Sequence, residues 1–306
     1  LENFNKIETP EIKPSYVNYS TAIQSSNLNN GLEFSFVENP TNDLAELYIL
    51  FDMGKDHNKK LGLAIGYLEY LGTDTTSAED LKKEFYKLGV SYGVSSQNDR
   101  SYVYLSGLRE NVDKGLELLE NLWSNAVADQ EAYDKFVLKI AKGRDEKKAN
   151  KGSIMWEGLM SYGQYGENSR LRDIYTIEEL KAVDPKELVE IVKDLRNYKH
   201  RFFYYGKDKE QGIAALNNKH SIPATLKEYP EKKEFERKDM ANNVYFVDYD
   251  MVQSEMMFLA KGDTFDPKKM AATSLFNTYF GSGLSSIVFQ EIRESKSLAY
   301  SAFSAY

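Results

Sequence analysis

The chain has 306 residues, 42% of them hydrophobic, and a formal net charge of −8. That allows about two domains with a sizeable core and argues against nucleic acid or an anionic membrane surface as a general partner. Cysteine is absent, which excludes disulfides, thiolate metal sites and cysteine nucleophiles, and no apolar run reaches the ~18 residues of a membrane-spanning helix.

The chain starts at Leu1 rather than methionine, which suggests a processed or trimmed start. Residues 1–30 are rich in Asn, Ser and Pro and read as extended. "LEFSFVEN" and "LAELYILFDMG" alternate or run apolar like strands, with "NPTND" as the turn between them. "KKLGLAIGYLEYLG" reads as a helix stopped by Gly72. Ser77 opens the next helix, with Asp80 three residues on as a capping box and Gly89 as its stop. "VSYGVSSQ" and "SYVYLSG" read as strands joined by a turn at "NDR". Helices follow from Asn111 to Val127 and from Asp129 to about Asn150. Thr176 and Glu179 form a second capping box, and Asp184 caps a helix with Pro185 at its first position. "HRFFYYG" closes as a strand. This order predicts an α+β fold, an antiparallel sheet with helices packed on one face. The 22 Tyr and 16 Phe fit an aromatic-rich sheet and core, or more sharply a surface that grips peptide or glycan.

Residues 221–240 hold two prolines and ten charged residues, leaving little to bury, and read as a linker. Beyond it the pattern starts again. "NVYFVDYDMVQSEMMFLAKGD" echoes the first strand pair, and Glu46/Glu255, Gly72/Gly281 and Glu84/Arg293 are each 209 residues apart. We read an internal duplication: one complete unit over 1–220, the charged linker 221–240, and the first half of a second homologous unit over 241–306. Such a truncated copy would leave an open edge and an uncovered apolar face. The expectation is a piece of a longer protein, or a chain that docks onto something that completes it.

The segment "YFGSGLSSIVFQEIRESKSLAYSAFSAY" has a small, Gly-rich turn at Gly281–Ser286, a helix ending in Arg293-Glu294, and a strand entry at Leu298-Ala299-Tyr300. It resembles the C-terminal half of the pitrilysin/insulinase-type zinc metallopeptidases, the inverzincins, and residues 28–205 resemble that family's third domain. The resemblance implies homologous α+β units whose halves close around a peptide. It implies zinc held by His-x-x-Glu-His on a helix of the first unit, the Glu serving as general base. "GLAIGYLEYLGT" stands where that helix would be, but Ile65, Gly66, Tyr67, Leu68, Glu69 and Tyr70 fill the positions. Glu69 could mimic the base, yet no His lies within a turn of it, and "PKKMAATSLFNTYFG" of the second copy has none either. The expectation is therefore no catalytic residue and no metal in this chain, with zinc carried by a separate catalytic half or subunit.

From the same resemblance Arg293 and Tyr300 are the substrate-binding candidates. An Arg and a Tyr at these motif positions would reach the bound peptide carbonyl and the developing oxyanion. The implied function is the non-catalytic C-terminal half of a clamshell zinc endopeptidase, whose partners are peptides or unfolded polypeptides and the catalytic half. The alternative is a catalytically dead member serving as a peptide-binding or scaffold protein. The family's bacterial members favour a periplasmic or extracytoplasmic location. The three histidines, His57, His200 and His220, are read as surface or strand-edge residues. "GSG" at 281–283 follows a helix and reads as its C-cap rather than a phosphate loop. The charge run 143–152 reads as a solvated helix end.

Overall fold

A computed structural model describes residue 13, residues 16–239 and residues 242–306. The beginning of the expected extended N-terminal stretch and the expected boundary at 240/241 lie outside the described residues. The described residues divide into two compact units: those within 1–150 and 170–235, and those within 151–169 and 236–306.

In chain order, a short helix α1 (Tyr19–Ala22) leads into β1 (Gln24–Asn27), β2 (Glu33–Glu38) and β3 (Leu44–Phe51). Then come α2 (Lys59–Tyr67), a two-residue β4 (Gly72–Thr73), α3 (Ala78–Lys87), β5 (Val90–Ser96) and β6 (Ser101–Leu108). After α4 (Val112–Asn125), β7 (Ala126–Val127) and α5 (Gln130–Lys148), a wide π-helical stretch (Ser153–Leu159) runs into α6 (Met160–Tyr165). The first unit resumes with α7 (Ile177–Ala182), α8 (Pro185–Asp194), β8 (Arg201–Gly206) and α9 (Lys209–Lys219). The last helix is α10 (Met270–Phe280).

The first unit is a six-stranded sheet in the order β1-β2-β8-β3-β6-β5. Every neighbouring pair is antiparallel except β2 and β8, which run parallel. The period-2 pattern decides its faces. Phe34, Phe36, Leu47, Ile49, Phe51, Val103, Leu105, Phe202 and Tyr204 are buried against the helices. Their alternates point the other way, giving mixed α+β layers as the sequence predicts.

The helix boundaries follow the predicted caps. The Ser77 hydroxyl accepts from the Asp80 amide (3.1 Å), Thr176 and Glu179 form a reciprocal box, and Asp184 accepts from Lys186 ahead of Pro185. Gly89 takes φ +61° to end α3, the left-handed turn glycine permits at no steric cost.

Residues 221–235 are laid along the first unit rather than free of it. Lys227 exchanges backbone bonds with Asn197 and Lys199, the Lys233 amide donates to Asp56, and Phe235 is buried. In the second unit α10 forms, and a π-helical turn forms over Phe289–Ser295. The strands expected over 243–263 and after Leu298 do not: among the described residues those segments make no ladder. A strand exists only through hydrogen bonds to a neighbour, and alternation alone does not supply one.

Candidate functional site

Three regions bear on function. The first is α2, which the resemblance sets against the family's zinc helix. Leu61, Ala64, Ile65, Tyr67 and Leu68 are all buried. The Tyr67 hydroxyl donates to the Asp129 carbonyl (2.6 Å) and accepts from the Asp129 amide (3.0 Å). A Cβ at Gly66 would already meet the Phe136 ring at 3.1 Å. These groups do not fit a metal: the helix presents apolar and phenolic side chains to a packed interior, where zinc needs at least three nitrogen, sulfur or carboxylate donors around an open position. Among the described residues no cluster of three or more His, Asp or Glu could hold a metal ion.

The second region holds both predicted binding residues, in the second unit. Arg293 sits on the Phe289–Ser295 turn and Tyr300 in the extended segment after it. Ser297, at φ +51°, is the one non-glycine residue with positive φ among the described residues. Its amide donates to the Arg293 carbonyl (3.1 Å) and the Leu298 amide to the Ile292 carbonyl (3.0 Å). This left-handed reversal turns the chain back. The Arg293 guanidinium thereby comes to lie 5.0 Å over the Tyr300 ring and 4.7 Å over Phe289. The Tyr300 ring is 83% exposed, and the Arg293 Nε lies 3.7 Å from Glu294. A groove of about 770 Å³ also lies within this unit, lined by Ile154, Met155, Met160, Phe246, Met256 and Phe258 among others. Methionine linings adapt to varied apolar groups.

The third region is the outer face of the six-stranded sheet. Register aligns Phe203, Tyr48 and Tyr104 in one row across β8, β3 and β6, with Leu50 and Tyr102 in the next. Tyr48 stacks on Tyr104 at 5.4 Å and meets Tyr102 edge-on at 5.8 Å. Its hydroxyl donates to Glu46 (3.0 Å). Burial, and after it the Glu46 carboxylate, push the Tyr48 phenol up to about 12. The abundance of tyrosine thus serves both sides of the sheet: Tyr67 and Tyr133 in the core, Tyr48, Tyr102 and Tyr104 on the face opposite the helices.

The histidines differ from expectation. His57 stays at a loop, its Nδ1 accepting from the Gly54 amide (3.2 Å). His200 and His220 are buried, and their Nε2 atoms lie 2.9 Å apart. The correction has a geometric cause. β8 has six residues and rises about 20 Å, while α9 has eleven and returns about 16 Å. The end of α9 therefore comes back beside the start of β8. No local pattern signals this, because the two residues are 20 apart with a whole strand and helix between them.

Comparison with known proteins bears on the second region most directly. Residues 183–306 match the family described as "Peptidase M16 inactive domain". A curated relative from Rickettsia felis, named "Uncharacterized zinc protease", is 22% identical over 297 residues; the match covers 90% of this chain and 68% of that protein. The solved M16 inactive domain from Pseudomonas fluorescens superposes with a TM-score of 0.65 at 16% identity, covering 93% of this chain and 70% of that one. A mutant of the ferredoxin protease FusC, solved in complex with Arabidopsis ferredoxin, gives 0.58 at 14% identity, over 76% of this chain and 28% of that one. The structural likenesses bear out the α+β fold, and the family match bears out the resemblance to the non-catalytic side of these peptidases.

Proposed function

Since residues 183–306 match the M16 peptidase inactive-domain family, we propose that this chain is the non-catalytic half of a zinc endopeptidase of the pitrilysin/insulinase type. It handles peptide or unfolded polypeptide substrates and acts with a catalytic half that carries the zinc. The observation that carries the reading is the pairing of half-buried Arg293 with exposed Tyr300, the guanidinium 5.0 Å from the ring centre, inside the family-matched region. A phenol and a guanidinium held side by side are hydrogen-bond donors for a peptide carbonyl, and the guanidinium adds charge where an oxyanion would develop. The contacts of the Arg293 guanidinium with the Phe289 and Tyr300 rings restrict its planar group, so less side-chain freedom is lost when a substrate binds. The complex of FusC with ferredoxin supports polypeptide as the substrate class.

The test is reconstitution. The chain alone should leave an unfolded polypeptide uncut, and adding a separately purified, zinc-loaded catalytic half should restore cleavage. Tyr300→Phe should lower turnover at least about tenfold, the cost of one donor to a developing charge being on the order of 2 kcal/mol or more. Unchanged turnover would remove the proposed role of Tyr300. Polypeptide binding with no cleavage under any pairing would instead favour a peptide-binding or scaffold protein.

A further inference from the structure

The contact between His200 and His220 counts protons. The His200 Nδ1 lies 2.7 Å from the Tyr198 carbonyl oxygen, which can only accept, so this nitrogen carries hydrogen. At the other end the His220 Nδ1 lies 2.6 Å from a Glu120 carboxylate oxygen. With both outer nitrogens donating, two neutral imidazoles would face each other across 2.9 Å with bare Nε2 lone pairs. That contact is repulsive unless a proton lies in it. If Glu120 instead carried the hydrogen and donated to His220, the His220 Nε2 would hold a hydrogen and donate to His200. The count is the same either way: three protons, where two neutral imidazoles and a carboxylate hold two.

We propose that His200, His220 and Glu120 form a latch closed by one buried shared proton, which pins the end of α9 to α4 and to the start of β8. The polarity is set by what surrounds it. His220 carries the charge beside Glu120, and His200 is the neutral acceptor. Burial, then the His220 charge, depress His200 to about 4, in keeping with that role. Glu120, from α4, supplies the negative charge, and Arg196, from the turn before β8, faces its other oxygen at 3.5 Å. The remaining walls are apolar or aromatic: Phe51 from β3, Phe202 from β8 and Trp123 from α4. Lys219, the next residue back along α9, points to Asp113 and Glu117 of α4 instead. The His220 side chain is fully inaccessible, so water cannot replace the proton. Only two ring nitrogens face the shared point, too few for a zinc site.

The latch has a direction. His220 is the C-cap residue of α9, and residues 221–235 leave from it to run back along the unit. Loss of the proton sets lone pair against lone pair and frees the end of α9, so the latch opens as pH rises.

The experiment is imidazole nitrogen NMR on the full 306-residue chain, labelled at histidine and dialysed against EDTA. At about pH 7.5, where free histidine is mostly neutral, the His200/His220 pair should hold one imidazolium proton shared between the Nε2 atoms. Glu120→Gln, which keeps an acceptor but removes the charge, should lower the pair's titration midpoint by about one pH unit or more. His220→Gln puts a permanent amide hydrogen against His200. It should abolish the about tenfold rise in hydrogen exchange at the end of α9 that wild type shows on going from about pH 7 to pH 9, after correction for intrinsic rates. Two neutral rings at about pH 6.5 in the wild-type protein would overturn the proposal without any variant. So would a midpoint unmoved by Glu120→Gln.

Discussion

Acid should unlock a second, separate charge state of the same pair. An unfolded histidine takes its proton near 6.5, whereas His200 in the folded chain is held down to about 4. The cause is first its burial, 6% exposed, and then the charge on His220. The sign follows from linkage. Between about 4 and 6.5 the unfolded chain binds the proton and the folded chain refuses it, so the stabilisation is whole above 6.5 and is lost as pH falls through that window. The gap of about 2.5 units converts at 1.36 kcal/mol per unit to about 3 kcal/mol. Urea denaturation followed by tryptophan fluorescence reads this, because Trp123 packs on His220 at 6.4 Å. Carboxylates such as Asp52 and Asp173, both held low chiefly by hydrogen bonds from Arg201 and Lys233, also lose stabilisation in acid, so the control is His200→Gln. Its midpoint should fall by less than the wild type's on going from about pH 7 to 4.5, the difference corresponding to about 2 kcal/mol, because pH 4.5 stops short of the folded value. Equal losses in the two proteins would refute the reasoning.

Three substitutions test the packing. Tyr67→Phe leaves the amide and carbonyl of Asp129 without the buried hydroxyl they share, and should cost about 2 kcal/mol in the urea midpoint with an unchanged m-value. Asp56→Asn breaks the pair with Arg170 (2.9 Å), in which the Asp56 side chain is 5% exposed; the loss should be about 3 kcal/mol, and the double change Asp56→Asn, Arg170→Leu should lose less than the sum in a double-mutant cycle. Gly107→Ala puts a Cβ 2.2 Å from the Gly89 carbonyl oxygen at a φ of +154°; calorimetry should show a drop in Tm of several degrees, on the order of 2 kcal/mol or more.

What could be read beforehand, and what could not, separates by range of interaction. Alternation in 33–38, 44–51 and 201–206 and the caps at Ser77, Thr176 and Asp184 are local, and the structure has each of them. The parallel pairing of β2 with β8 joins residues about 168 apart, Phe34 against Phe202, and alternation cannot tell which strand will be its neighbour. The burial of His200 and His220 fails for the same reason. Residues 243–263 show the converse: a strand-like pattern with no partner makes no strand. The run 221–235 was misleading by composition, since its charges sit on the outside of a backbone tied down by a few long-range bonds and by Phe235 under Arg170 at 4.6 Å.

The packing of α2 also decides where function can reside in this chain. The absent histidines are only part of its departure from a zinc helix. Tyr67 is fixed at both its ring and its hydroxyl, with Tyr133 edge-on at 5.3 Å, and Gly66 is closed over by Phe136. Restoring two histidines at the spacing of a metal pair would therefore set imidazoles into occupied volume, with overpacking costs of about 1–3 kcal/mol each, and would still lack the open coordination position. The poor fit of this helix to a metal thus comes from its neighbours as well as from its own residues. On the proposed reading, recognition rests on groups the core does not use. Arg293 and Tyr300 are such groups: their positions come from the left-handed turn at Ser297, and the ring of Tyr300 contributes little to any core. Replacing Ser297 by glycine, which takes a positive φ at no steric cost, should keep the turn and the cleavage rate of the reconstituted enzyme, whereas Ser297→Val, whose branched side chain resists φ +51°, should lower that rate through Arg293 and Tyr300 together without unfolding the first unit.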